Sequence, residues 1–190
     1  SHRSRPLPVI SLVDAHGHIQ TRPFAMDGGE VLAAARGAGL ARILVPGFDV
    51  PTVDAGLAFA RAHAGVHTSV GVHPHVAHEV DDAAWAGLVA LADDPLLVAI
   101  GETGLDYDRG FSPRDAQLAN LRRHLALAWE LRRPLILHCR SKAGLRDAQD
   151  ELLAELRSAG VGGAAWGERF GGRPPAVLHS FSGPADYAET

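Results

Sequence analysis

Val98-Ala-Ile-Gly-Glu-Thr-Gly-Leu-Asp-Tyr107 is the stretch that decides how this chain folds. It continues an apolar run that starts at Leu96 and halts at Glu102, an acid set between Gly101 and Gly104. A short apolar run with β-branched members suits a strand covered on both faces. A carboxylate at its end, where two glycines let the backbone turn sharply, is placed for chemistry rather than packing. Four other apolar runs end in histidine: Asp14-Ala-His16-Gly-His18, Gly71-Val-His73-Pro-His75, Leu135-Ile-Leu-His138 and Val177-Leu-His179.

Outward from that stretch, six short apolar segments recur at 9–13, 41–46, 68–72, 96–100, 134–137 and 176–178, each bounded by Gly, Pro or a charge. Helical patterns lie between them, over 27–39, 51–64, from 81 to about 94, 112–131 and 143–159. Ser112 stands as the expected cap of the fourth helix, Leu145 as an inward residue of the fifth, and 160–175 as a Gly-rich loop. Strand followed by helix, repeated every ~30–40 residues, means an α/β domain with a parallel sheet. The glycine fingerprint of dinucleotide binders is absent after the first strand. Polar residues instead end strands one, three, four, five and six, and a barrel gathers such residues into one cup. The expected fold is therefore a TIM-type (β/α) barrel.

At 46 % hydrophobic and 21 % charged, the 190 residues have the composition of an ordinary globular domain. No apolar stretch approaches the ~20 residues of a membrane span. The opening Ser1-His-Arg-Ser-Arg-Pro6 leads into a strand-like run rather than a signal core, so a cytoplasmic location is expected. A net charge of −4 is unlike a sequence-reading DNA protein, but a metal pair can supply positive charge locally. The lone cysteine, Cys139, sits beside His138, and a nucleophilic thiol has to be weighed. Neighbouring strand residues point to opposite faces, so a His138 in the cup sends Cys139 toward the helices.

The imidazoles carry the chemistry. His16 and His18 are two apart, so on a strand both face one way, and neutral imidazole is the commonest side-chain metal ligand. An isolated His-x-His is more often a polar turn, and core histidines are often bonded to backbone. Repetition at strand end after strand end outweighs both, because buried polar groups without partners cost stability. Glu102 is suited to bridge two ions, and His138 and His179 complete one ion's shell. Mixed N/O donors favour Zn, Mn, Fe or Co over Ca, with Mg possible if waters fill its shell. Such a site activates water and neutralises charge developing on a phosphoryl or acyl centre.

In order and spacing, Asp14-Ala-His-Gly-His18, Gly71-Val-His-Pro-His75, Ile100-Gly-Glu-Thr-Gly-Leu-Asp-Tyr107, Leu137-His-Cys-Arg140 and Leu178-His-Ser-Phe-Ser-Gly183 resemble the TatD family of metal-dependent deoxyribonucleases. The resemblance covers nearly the whole chain. It implies a barrel hydrolase holding two divalent ions (Mg, Mn or Zn) on His16, His18, Glu102, His138 and His179. It implies single-stranded DNA or frayed ends as substrate, cut from the 3′ end. His73, Asp106 and Arg140 also match family positions. Glu102 and Asp106 are the expected catalytic carboxylates, Asp106 orienting a ligand or water, while His73 and Arg140 are expected to meet phosphate. The family pattern continues beyond Gly183 with two more βα units and a metal-binding aspartate, whereas this sequence ends at Thr190. Residues 1–190 are accordingly expected to form one hydrolase domain with about six of the eight βα units, its first and sixth strands open at their edges. Two other readings stand beside the nuclease: a metal hydrolase of a small amide, lactone or phosphoester, and a chain that binds metal without turnover.

Overall fold

A computed structural model describes residues 11–189. Ser1 to Pro6, and Val9 and Ile10 of the expected first strand, lie outside the described residues. Six strands appear: β1 (Leu12–Asp14), β2 (Leu40–Pro46), β3 (Val66–Val70), β4 (Leu97–Asp106), β5 (Leu135–Arg140) and β6 (Ala176–His179). All neighbours are parallel, and the sheet order is the sequence order, β1 to β6. A doubly wound sheet reverses direction at a switch point. This one never does, and sequential order is that of a barrel wall. The wall is curled: the ring of His16, in the loop after β1, and that of His179, at the end of β6, stack with centroids 3.4 Å apart.

The helices α1 (Gly28–Gly37), α2 (Val50–Ala62), α3 (Asp82–Leu91), α4 (Arg114–Leu131) and α5 (Asp147–Ser158) connect the strands, as the periodicity predicts. Asp49 caps α2 by accepting the N–H of Thr52, whose hydroxyl lies 2.6 Å from the same carboxylate oxygen. Leu97, Ile100, Leu105, Leu121, Leu135 and Leu137 join one core cluster between sheet and helices, all fully buried. Burying each such side chain contributes roughly 1.5–3 kcal/mol. The outermost strands differ. Among the described residues each pairs with one neighbour only, and Leu12, Val13, Val177 and Leu178 are 42–65 % exposed. The open edges expected from the sequence are thus present.

Several local expectations are corrected. β4 does not stop at Glu102 but runs on to Asp106. Its glycines serve close approach rather than a turn: a Cβ on Gly104 would lie 1.9 Å from the His138 carbonyl oxygen, so only Gly lets β4 and β5 pair there. β3 ends at Val70, which leaves His73 and His75 beside a short turn, Pro74–Val76, rather than at a strand end. Ser112 caps nothing; α4 begins at Arg114, and the Ser112 hydroxyl donates to the His75 carbonyl instead. Leu145 precedes α5 and is 55 % exposed. The segment 160–175 contains a helix, α6 (Ala164–Arg169), because Trp166 is buried there and stacks on Phe170. A last short helix, α7 (Ala185–Ala188), follows β6.

Candidate metal centre

Each strand end delivers its group by a local device. After β1, Asp14 Oδ1 accepts the His16 N–H at 3.0 Å, and the Gly17 N–H donates to Leu44 O in β2 at 3.0 Å. These bonds hold the loop so that His16 and His18 bring their Nε2 atoms to 3.1 Å. The two rings converge from this loop, not from one strand face as the sequence spacing had it. The Glu102 N–H donates to Gly47 O at 2.8 Å, and its side chain, 4 % exposed, rises into the centre. β5 and β6 bring His138 and His179 side by side as register partners.

The groups meet around Glu102. His16 Nε2 is 3.3 Å from Oε2, while His138 Nδ1, His73 Nε2 and His179 Nε2 are 3.3, 3.6 and 4.0 Å from Oε1. Asp106, fully buried, lies behind them, with Oδ2 2.7 Å from His75 Nε2 and 3.1 Å from His138 Nε2. The cleft above has a volume of about 400 Å³, with Phe48 and Val76 as its apolar wall. A larger groove, about 630 Å³, lies between α4, α5 and α6 around Trp129. Its one acid, Glu155, is already paired with Arg122, so it offers no donor set for a metal.

Burial pushes the Glu102 carboxyl upward, but hydrogen bonds from His138, His16 and His73 more than offset this and hold it well below the usual carboxylate range. Asp106 is held low in the same way, against its burial, by His138, the Arg109 N–H and His75. Burial lowers His18, His73 and His179. His138 alone is raised, to about 9, because Asp106 and Glu102 flank it and overcome its burial.

Hydrogen bonds also fix which nitrogens can bind a cation. The His75 N–H donates to His73 Nδ1 at 3.2 Å. The His73 proton therefore sits on Nε2, which faces Glu102 as a donor and not as a ligand. This removes the cluster of His73, His75 and His138 as a metal site, although their ring nitrogens lie close together. His16, Glu102 and His179 place one ligand atom each within 4.8 Å of one another, and His18 adjoins them with a buried Nδ1 lacking a protein partner. Neutral imidazoles around an ionised carboxylate are the donor set of a divalent metal. Asp106, accepting from His138 Nε2, leaves His138 Nδ1 aimed at the same place.

The structure thus brings together His16, His18, His73, Glu102, His138 and His179, with Asp106 behind. Arg140 is not in the cup. Its Nε lies 3.4 Å from Asp108 Oδ2, and it lines an adjoining groove with Lys142 and Arg146. Cys139 is buried on the opposite face, its thiol pushed by burial up to about 12. Sequence reasoning singles out the run that ends in His75 but gives that residue no role, although its spacing from His73 repeats that of His16 and His18.

Residues 13–190 match the family model of the TatD-related DNases. The 3′-5′ ssDNA/RNA exonuclease TatD of Klebsiella pneumoniae is 37 % identical over 177 residues, covering 90 % of this chain and 59 % of that protein. The uncharacterized metal-dependent hydrolase YabD of Bacillus subtilis is 32 % identical over 177 residues, covering 93 % of this chain and 63 % of its own. The chain spans about three fifths of the length of the curated relatives it matches. Among solved structures, the TatD homolog YJJV of Escherichia coli superposes with a TM-score of 0.74 at 28 % identity, over 93 % of this chain and 62 % of that one. A TatD-family hydrolase of Entamoeba histolytica shares the fold, with a TM-score of 0.79 at 22 % identity, over 94 % and 61 %.

Proposed function

The chain belongs to the TatD-related DNase family, and on that premise we propose that it hydrolyses phosphodiester bonds of single-stranded DNA from the 3′ end, with two divalent ions held around Glu102. The observation that carries this is the position of Glu102 between His16 and His138, each 3.3 Å away on a different carboxylate oxygen. His16, beside Oε2, and His138 and His179, beside Oε1, would hold the ions together with His18. Mg, Mn and Zn are the candidate metals. Bound there, the ions supply Lewis-acid activation of water and neutralise charge on the phosphoryl group.

The remaining residues bind and orient. Asp106 holds the His138 ring by its Nε2–H. His73 Nε2–H, which faces Glu102 across the loose 3.6 Å contact, exchanges it for a phosphate oxygen of the substrate. Arg140, one groove away, meets a phosphate further along the strand, after exchanging its partner Asp108. Phe48 and Val76 close the cleft's flank against water. Residues 1–190 act as one hydrolase domain.

The test is release of nucleotides from a single-stranded DNA oligonucleotide, with an RNA strand in parallel because the Klebsiella relative's name includes RNA. Release is expected to stop with chelator, to return with Mn, and to fall at least ~100-fold in Glu102→Ala. Equal release by that variant sinks the proposal. Hydrolysis of a small phosphoester is the second reading, favoured by the −4 net charge and by Arg140 lying outside the cup. A substrate panel at fixed Mn separates the two.

A further inference from the structure

Helix α4 carries three buried polar side chains, Gln117, Asn120 and His124, exposed by 1, 2 and 0 %. Spacings of three and four place them on one helical face. Such groups buried without partners would destabilise the fold. Here each is bonded, and chiefly to backbone that supports the cup.

Val72, the residue before His73, is held on both sides. Its N–H donates to His124 Nε2 at 3.0 Å, and its carbonyl accepts from Asn120 Nδ2 at 2.7 Å. His124 Nδ1–H in turn donates to Asn120 O at 2.7 Å, so the ring is fixed as one neutral tautomer. Asp106 is gripped alike: Gln117 Oε1 accepts its N–H at 2.8 Å, and Gln117 Nε2 donates to its carbonyl at 3.1 Å. Val72 lies beyond the end of β3 and Asp106 is the last residue of β4. The sheet ladder is ending at both places, and α4 takes over from it.

We propose that Gln117, Asn120 and His124 are positioning residues: from α4 they set where His73 and Asp106 stand relative to Glu102. The proposal rests on the nuclease reading only for the consequence in turnover. Holding both the amide and the carbonyl of Val72 fixes the peptide planes on either side of it, and so the direction in which the next residue's side chain leaves the backbone. His73 reaches Glu102 at 3.6 Å, a loose contact that any drift of the loop would lose. A misplacement of about 1 Å is enough to reduce turnover ~100-fold. The stripe itself touches none of His16, His18 and His179. Loss of the His124–Val72 bond should therefore act on substrate and not on metal.

The test compares His124→Leu with His124→Gln in the full chain. Gln can accept from Val72 N–H and donate to Asn120 O, whereas Leu can do neither. His124→Leu is expected to lower kcat/KM for a DNA oligonucleotide by at least about tenfold, mainly through KM, with Mn affinity within about twofold of wild type. His124→Gln is expected to recover most of it. Wild-type kcat/KM in the Leu variant, or loss of Mn affinity in proportion, overturns the proposal. Should His124→Leu fail to fold, Asn120→Asp replaces the amide donor to Val72 O at constant size and carries the same expectations. A second readout needs neither metal nor substrate: exchange of the Val72 amide with deuterium. It is expected to be slow in wild type and at least about tenfold faster in the Leu variant, which lacks the acceptor of that amide; unchanged exchange overturns the proposal. If wild type releases no nucleotide, the nuclease reading fails while the exchange measurement still decides the positioning.

Discussion

The imidazole of His16 lies flat against that of His179, their centroids 3.4 Å apart and their planes within 5°. One ring follows the first strand of the sheet and the other ends the sixth. Curling the wall far enough to bring them together places both beside one carboxylate, which is what a shared ion requires. Burial and His16 both oppose a proton on His179, so a cation is best accommodated there through nitrogen lone pairs. His16→Ala and His179→Ala are each expected to weaken Mn binding by about 10–100-fold. On the proposed reading both serve one ion, so the double variant should bind little worse than the weaker single one. Titration calorimetry on the four proteins measures this; strictly additive losses would place the two rings on separate ions.

His138 gives the metal-free protein a pH dependence of definite sign. Between Asp106 and Glu102 its folded value is raised to about 9, above the ordinary 6.5 of the unfolded chain. The folded state therefore holds a proton that the unfolded state has already released. This stabilisation is complete below pH 6.5 and is lost as pH rises through about 9. A cation competing for the His138 lone pair has to displace that proton, so metal affinity should rise over the same range. Melting curves in chelator are expected to show Tm falling from pH 6.5 to 9, with a smaller fall in Asp106→Asn. A flat wild-type curve would contradict the flanking carboxylates.

Much of this site was legible because parallel strands buried on both faces leave an unbroken apolar run, and a polar residue ending such a run stands out. Glu102 and His138 announce themselves in that way; His16, His18 and His179 also follow apolar runs, though on strands whose apolar residues are exposed here. Two things did not stand out. The length of β4 was hidden because Gly101 and Gly104 read as a turn, when their missing side chains admit the backbone of β5. The stripe of Gln117, Asn120 and His124 was hidden because polar residues on a helix ordinarily face water, and only the packed structure shows them turned inward to backbone. The direction Arg140 takes is not legible for a third reason: it shares a strand face with His138, but its long side chain reaches to Asp108 at the strand's end.

Cys139 follows from the alternation that places His138. Its thiol faces the core and is buried, which pushes it up to about 12 and leaves almost no thiolate at neutral pH. Cys139→Ala is expected to keep nucleotide release within about twofold of wild type. Iodoacetamide should label the native protein slowly and the urea-unfolded protein quickly. Rapid native labelling coupled to loss of turnover would return the nucleophilic thiol to consideration.

His124 supplies the acid side of the stability curve. Complete burial drives its folded value down to about 3, below the 6.5 of the unfolded chain. As pH falls below 6.5 the unfolded chain takes up a proton that the folded protein refuses, so stability is lost at up to about 1.4 kcal/mol per pH unit. His18, His73 and His179 are lowered too and act in the same direction. The useful quantity is thus the difference between wild type and His124→Gln, which keeps the bonds to Val72 and Asn120 but cannot titrate. Glu102 and Asp106 stay ionised throughout pH 6.5 to 5 and do not intrude. Over that window wild type should lose about 2 kcal/mol more than the Gln variant, read from urea midpoints at each pH. Parallel losses would mean that the folded protein protonates His124 readily, and hence that Val72 N–H has released its acceptor.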